Sequence, residues 1–187
     1  MKYLIPITIF LLFHSPNLKA SDLKIEPVYG VERTQREFPK PARYKTETYF
    51  GVRALYGTPS FSLEGEVNQS QDTEDFPDDN LKVTYKNQKA LLGFRTYPIQ
   101  SKILGVFLRF GARASKQTRE ITEAGESRTE EGAIIFDPYA GTGLTLVLGN
   151  NFALNTGATL IYNRNAEASE QYDTRYSFSF TIRAGNK

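Results

Sequence analysis

Apolar and polar residues alternate with a period of two through most of this chain, and that alternation predicts β-strands with one apolar and one polar face. Phe152, Leu154, Thr156, Ala158, Leu160 and Tyr162 fall on one face, against Ala153, Asn155, Gly157, Thr159, Ile161 and Asn163. The closing segment repeats the pattern, with Tyr172, Thr174, Tyr176, Phe178, Phe180 and Ile182 against Asp173, Arg175, Ser177, Ser179, Thr181 and Arg183. Segments from Tyr44 to Tyr56, Phe61 to Val67, Ala90 to Thr96 and Leu104 to Ala112 do the same. Two stretches are less regular. Residues 25 to 34 carry Pro27, and residues 129 to 148 carry Pro138. Proline has no N–H for a ladder, so each is expected to mark a strand end or a bulge. The count is about eight strands.

The connections alternate in length. Gly57-Thr58-Pro59, Pro98 to Lys102 and Gly149-Asn150-Asn151 read as tight turns. Between them lie polar links at 35–42, 70–80, 115–128 and 164–171, read as long loops. Tight turns at one end and long loops at the other, with both chain ends at the tight end, are the plan of a closed antiparallel up-and-down transmembrane β-barrel.

A soluble barrel also alternates, so the composition of the polar face decides its orientation. Here that face holds Glu26, Glu32, Glu47, Arg53, Glu64, Glu66, Arg95, Arg109, Arg113, Asp137, Arg175 and Arg183, together with Gly30, Gly51, Gly93, Gly105, Gly111, Gly141, Gly143 and Gly157. Mid-strand charges of both signs beside glycines suit a crowded polar lumen better than a solvated surface. A lumen charge network is therefore expected from Glu47, Arg53, Glu64, Glu66, Arg95, Arg109, Arg113, Asp137 and Arg175. On the apolar face, Tyr44, Tyr56, Phe61, Phe110, Phe136, Phe152, Tyr162, Tyr172 and Phe178 are candidates for an aromatic girdle. Phe152 and Tyr162 are separated by about 25 Å of height on a tilted strand.

Residues 1–20 stand apart. Lys2, the apolar run Tyr3 to Phe13, the break at Ser15-Pro16 and small Ala20 have the layout of a secretory signal peptide, leaving 21–187 as one barrel domain. The chain has 23 basic and 21 acidic residues; Lys2 and Lys19 belong to the leader, so the mature charge is balanced and carries no argument for nucleic acid. There is no cysteine, hence no disulfide or thiolate site, and the single histidine, His14, lies in the leader. Acyl transfer or ester hydrolysis usually pairs a nucleophile with a histidine base. The mature chain therefore reads as a non-enzyme without cofactor or metal. Asp72, Glu74, Asp75, Asp78 and Asp79 share one link but lack EF-hand spacing, and read as a solvated acidic loop. Arg33, Arg36, Lys40, Arg43 and Lys45 form a basic rim that is either hydrated or turned to lipid phosphates.

Tyr139-Ala140-Gly141-Thr142-Gly143-Leu144, the Gly149-Asn150-Asn151-Phe152-Ala153-Leu154 turn into a strand, and Tyr176-Ser177-Phe178-Ser179-Phe180 make the mature chain resemble the small OmpA/OmpX-like outer-membrane barrels. The resemblance implies a bacterial outer-membrane location, contact with outer-membrane lipid, handling by periplasmic chaperones and the barrel-assembly machinery, and an envelope-structural or adhesion-like surface role toward an unidentified ligand. Such barrels commonly end on an aromatic residue, whereas this chain continues past Ile182 with Arg183-Ala184-Gly185-Asn186-Lys187. Two other readings remain open: a narrow pore for small solutes, and a soluble periplasmic ligand-binding barrel.

Overall fold

A computed structural model describes residues 22–36, 38–41, 43–58, 60–149, 151–163 and 171–184. The leader at 1–20, most of the link at 164–171, the side chain of Arg183 and the last residues 185–187 lie outside the described residues. Nine strands form among the described residues: β1 (Asp22–Arg36), β2 (Arg43–Gly57), β3 (Phe61–Phe76), β4 (Leu81–Gln100), β5 (Leu104–Glu123), β6 (Glu126–Glu131), β7 (Ile135–Val147), β8 (Phe152–Tyr162) and β9 (Tyr172–Ala184). All pair antiparallel, and the β1–β9 and β4–β5 ladders close eight of them into a ring, with β6 attached to β5 outside it. No helix among the described residues is long and apolar enough to cross a membrane; the strands provide the span.

The ring is inside out. Its buried inner positions carry Glu26, Glu32, Arg53, Glu64, Arg95 and Arg175, while Val67, Leu92 and Phe136 point outward at 63%, 64% and 66% exposure. On β5 the apolar outer belt runs from Leu104 to Ala114. That matches the nine to eleven residues a tilted strand needs to cross a hydrocarbon core, roughly 30 Å. Closure gives every strand two partners within this belt, as lipid requires. An apolar-lined soluble pocket is incompatible with this polarity.

The ladders place the prolines. Pro27 pairs with Val52 on one side, while the β1–β9 ladder passes from Ile25↔Ile182 to Val28↔Ser179 in unchanged register. It therefore costs bonds on one side without ending or bulging the strand. Pro138 pairs with Ala112 toward β5 and stands one residue beyond Tyr139↔Ile161, the last β7–β8 pair. The register shift occurs elsewhere, at Thr96–Ile99 of β4 around Pro98.

Two of the expected loops prove to be strand. β3 continues through residues 70–76, and β5 runs through 115–123 before turning into β6. β4 and β5 are 20 residues each and stay paired from Gln100↔Gly105 to Leu81↔Glu123. At about 3.3 Å per residue they reach well beyond a bilayer crossing. Over this extension the polarity reverses. Lys82, Thr84 and Lys86 face out, while Val83, Tyr85 and Ile121 are buried with Phe38, Phe76 and Leu81 packed against them.

Candidate functional site

The lumen holds the concentrated chemistry of the molecule. Toward the tight-turn end, Glu26, Glu64 and Glu66 meet Arg53, Arg95, Arg109 and Arg175 in a continuous network. Arg53 Nη1 lies 2.9 Å from Glu26 and its Nη2 2.8 Å from Glu66; Arg95 Nε lies 2.8 Å from Glu64 and its Nη1 3.2 Å from Glu26. Arg109 pairs with Glu64 and reaches Glu66 at 3.3 Å, and Arg175 pairs with Glu66. Glu26 also accepts hydrogen bonds from Thr181 (2.7 Å), Ser179 (3.1 Å) and Asn155 (3.2 Å), and Asn155 accepts from Thr145 at 2.7 Å. Every strand of the ring contributes a side chain. Beneath this layer lies a void of about 20 Å³ lined by Lys24, Tyr97, Thr145 and Thr181.

Inner aromatics complete the plug, and small residues make room for them. Tyr49 lies across Gly30, its ladder partner, where a Cβ would stand 2.5 Å from the tyrosine hydroxyl. Phe107 covers Gly143, its partner on β7, where a Cβ would collide with the ring edge. Arginines of the network stack on these rings: Arg175 on Tyr49 at 3.8 Å, Arg95 on Phe107 at 4.5 Å and Arg109 on Tyr139 at 5.1 Å. A guanidinium over a ring face gains a cation–π attraction that strengthens away from water.

Above the plug the lumen widens into a mouth of about 470 Å³, lined among others by Glu47, Asn87, Lys89, Arg113, Asp137 and Asp173. Arg113 is its hub: Nη1 lies 2.8 Å from Glu32, and Nη2 lies 2.7 Å from Asp137 and 3.3 Å from Asp173. Lys89 bridges Glu32 at 3.0 Å and Glu47 at 3.2 Å, and Asn87 donates to Glu47.

Beyond the mouth, the β1–β2 connection folds over the hairpin extension. Tyr85 donates its hydroxyl proton to the Phe38 carbonyl, Arg43 donates to the Phe38 and Pro39 carbonyls, and Arg119 lies over the Phe38 ring. Arg43 also pairs with Glu74, and Arg36 spans Glu47 (3.2 Å), Asp72 (3.1 Å) and Glu74 (3.4 Å). Burial pushes the Glu74 carboxyl up, but the Arg43 hydrogen bond and the charges of Arg36, Arg43 and Lys45 outweigh it and hold it below the ordinary carboxylate range.

Of the network candidates, Arg53, Glu64, Glu66, Arg95, Arg109 and Arg175 meet in the plug, while Glu47, Arg113 and Asp137 lie in the mouth. Sequence reasoning left Lys89, Asp173, Arg36 and Asn155 out. Strand parity was the available signal for all but Arg36, which sits where the alternation fades. Arg36 is fully buried, Arg43 holds Glu74 and the neighbouring carbonyls, and Lys45 lies 3.7 Å from Asp72, so these three rim cations serve internal partners; Arg33 stacks on Tyr44 at 4.1 Å. Asp72 and Glu74 face inward to those cations, so the acidic link is not wholly a solvated loop; Asp75, Asp78 and Asp79 are exposed. Among the aromatic candidates, Tyr56, Phe61 and Phe152 flank the tight-turn end, and Tyr44, Phe136, Tyr162 and Tyr172 the other. Phe110 and Phe178 stand between them at mid-belt. Phe61 stacks on Phe94 at 5.3 Å, Phe152 on Phe180 at 5.4 Å, and Tyr162 meets Tyr172 at 5.7 Å.

No protein-family profile and no curated protein sequence matches the chain. Solved structures do. Ail, the attachment invasion locus protein of Yersinia pestis, aligns at a TM-score of 0.57 and 10% identity, over 89% of this chain and 99% of its own. Neisserial surface protein A aligns at 0.56 and 10%, over 89% and 98%. OprG, an outer membrane protein of Pseudomonas aeruginosa, aligns at 0.52 and 10%, over 89% and 95%. The fold is thus that of the small outer-membrane β-barrels which the sequence resembles.

Proposed function

We propose that this chain is a non-enzymatic barrel of the bacterial outer membrane, exported by a cleaved leader at 1–20. Its lumen is sealed by the charge network, and its long-loop end presents a rigid β-platform for envelope-structural or adhesion-like contact with a surface ligand. The observation that carries this reading is the pairing of a filled lumen with ladders that continue far above the apolar belt. Conduction needs a continuous wet path, whereas eight strands leave room only for the side chains that fill them here. Buried carboxylates held by arginines in such a packing serve closure. Tyr44, Tyr56, Phe61, Phe136, Phe152, Tyr162 and Tyr172 seat the belt at the two lipid interfaces, where amphipathic rings are favoured. The proposed contacts are outer-membrane lipid, the assembly machinery with its chaperones, and the unidentified surface ligand.

Fractionation with a heat-modifiability gel, followed by planar-bilayer recording of the purified protein, tests this reading. We expect a compact species in the outer-membrane fraction that shifts on boiling, and no stable unitary conductance. Steady single-channel steps would establish the narrow pore instead, and recovery in the soluble periplasm would remove the membrane assignment.

A further inference from the structure

The mouth above the plug has a charge pattern that neither closure nor surface contact requires. Among the described residues its floor presents Glu32, Glu47, Asp137 and Asp173 to Lys89 and Arg113, and Arg175, paired with Glu66 in the plug, adds its charge to Glu32 alone of the four. Arg36 also reaches Glu47, but it divides its guanidinium among Glu47, Asp72 and Glu74. The rim cations are engaged as well, Lys116 with Glu131 at 2.6 Å and Arg119 with Glu130 at 3.4 Å. In the plug below the balance is opposite, since four arginines face three glutamates.

A second observation is independent of that count. Asp137 is buried, lines the mouth, and leaves Oδ1 without a hydrogen-bond partner, while its Oδ2 is held by Arg113. Fully buried Glu32 likewise has Oε2 unpartnered beside the same arginine. A buried carboxylate oxygen without a donor is costly, and a ligand that supplies N–H groups removes the cost. Among the described residues no group of three or more carboxylates stands close enough to hold a metal ion, which directs the site to a cation that brings its own donors. A mouth of about 470 Å³ has the dimensions of a small-molecule site.

We propose that the outer mouth is a binding site for a small organic cation bearing a primary ammonium or guanidinium group. Asp137 Oδ1 and Asp173 accept its N–H groups, and the arginine-rich plug stops it from passing further. The site does not depend on the surface role proposed above: loss of surface contact leaves it intact, and conduction would show in bilayers rather than in binding.

The test titrates the full-length mature protein in lipid nanodiscs, at fixed ionic strength, with n-butylammonium and butylguanidinium while backbone amide shifts are followed. n-Butanol and butyrate serve as the neutral and anionic probes of the same length. Saturable shifts confined to residues such as Ser115, Asp137 and Asp173 are expected for the two cations only. Asp137→Asn and, separately, Asp173→Asn should each weaken binding about tenfold. Glu120→Gln, on the outer face of the hairpin, should leave it unchanged. Heat-shifted migration establishes that each variant is folded, and Asp173→Asn tests the site should Asp137→Asn fail that check. Equal shifts with butanol, absence of saturation, or unchanged affinity in both aspartate variants would overturn the proposal.

Discussion

Strand β4 crosses two regions whose rules are opposite, and its residues change accordingly. From Ala90 to Phe94 its outer face is apolar, and the inner face at that height carries Lys89, Leu91, Gly93 and Arg95, Leu91 packing with Tyr139 and Ile161 between the charges. From Lys82 to Gln88 the outer face is polar, and the inner face carries Val83 and Tyr85. The outer faces of β5 and β3 turn polar at the same height, between Ala114 and Lys116 and between Val67 and Gln69. The ladder is continuous through the switch, with Ala90↔Ala114 and Gln88↔Lys116 in one register. Backbone pairing therefore does not distinguish the regions; the solvent outside does. Where lipid surrounds the ring, burial gathers charges inward and they must satisfy one another. Where water surrounds it, the ordinary hydrophobic effect returns and a small core forms.

The largest loss of stability is expected in the plug. Glu66 serves Arg53, Arg109 and Arg175, so Glu66→Gln leaves buried guanidinium charge uncompensated. A loss of about 3–5 kcal/mol is expected in urea unfolding from lipid vesicles. Next is a pair of substitutions on one face of β4. Phe94→Arg puts a charge at mid-belt, opposite Phe110, and should cost about 2–4 kcal/mol, whereas Thr84→Arg, ten residues away along the strand, should change stability by less than about 0.5 kcal/mol. Equal costs would mean that the two positions share one solvent.

Ile121→Ala addresses the upper core alone. About 2 kcal/mol of local stability should be lost, read as faster amide exchange in the β5–β6 hairpin and around Phe38, with the barrel's urea midpoint unmoved. The smallest effect follows pH. Folding lowers the Glu74 carboxyl, so its contribution is fully present above the ordinary carboxylate range, roughly pH 4–5, and is lost as pH falls through the lowered value. Below that window, exchange at Phe38 and Arg43 should quicken, and Glu74→Gln should abolish the pH response.

The same contrast explains what could be read from the sequence. In the belt, Phe152 to Tyr162 and Tyr172 to Ile182 alternate because lipid and lumen impose opposite demands, so strand, face and ring plan were all legible. Above the belt, Gln69, Ser70, Gln71, Asp72 and Thr73 are polar on both faces, since one face meets water and the other meets Arg36 and Lys45. With no period left, these strands read as loops. Leu81, Val83 and Tyr85 alternating with Lys82, Thr84 and Lys86 were the remaining sign of a strand there. Inward placement of the charges followed from parity, but their division into plug and mouth depends on register between strands far apart in sequence, such as Glu66 with Arg175 or Glu32 with Arg113.

One continuous sheet passes from lipid to water at a defined height, between Ala90 and Gln88 on β4. The chain has no native cysteine, so single cysteines at Lys82, Thr84, Lys86, Gln88, Ala90, Leu92 and Phe94 can each carry a spin label in bilayers. Relaxation by oxygen, which concentrates in lipid, is compared with relaxation by a water-soluble nickel chelate. Oxygen should dominate from Phe94 to Ala90 and the chelate from Gln88 to Lys82, with the crossover between Gln88 and Ala90. Chelate access at Leu92 and Phe94 equal to that at Thr84 would contradict the inside-out assignment itself.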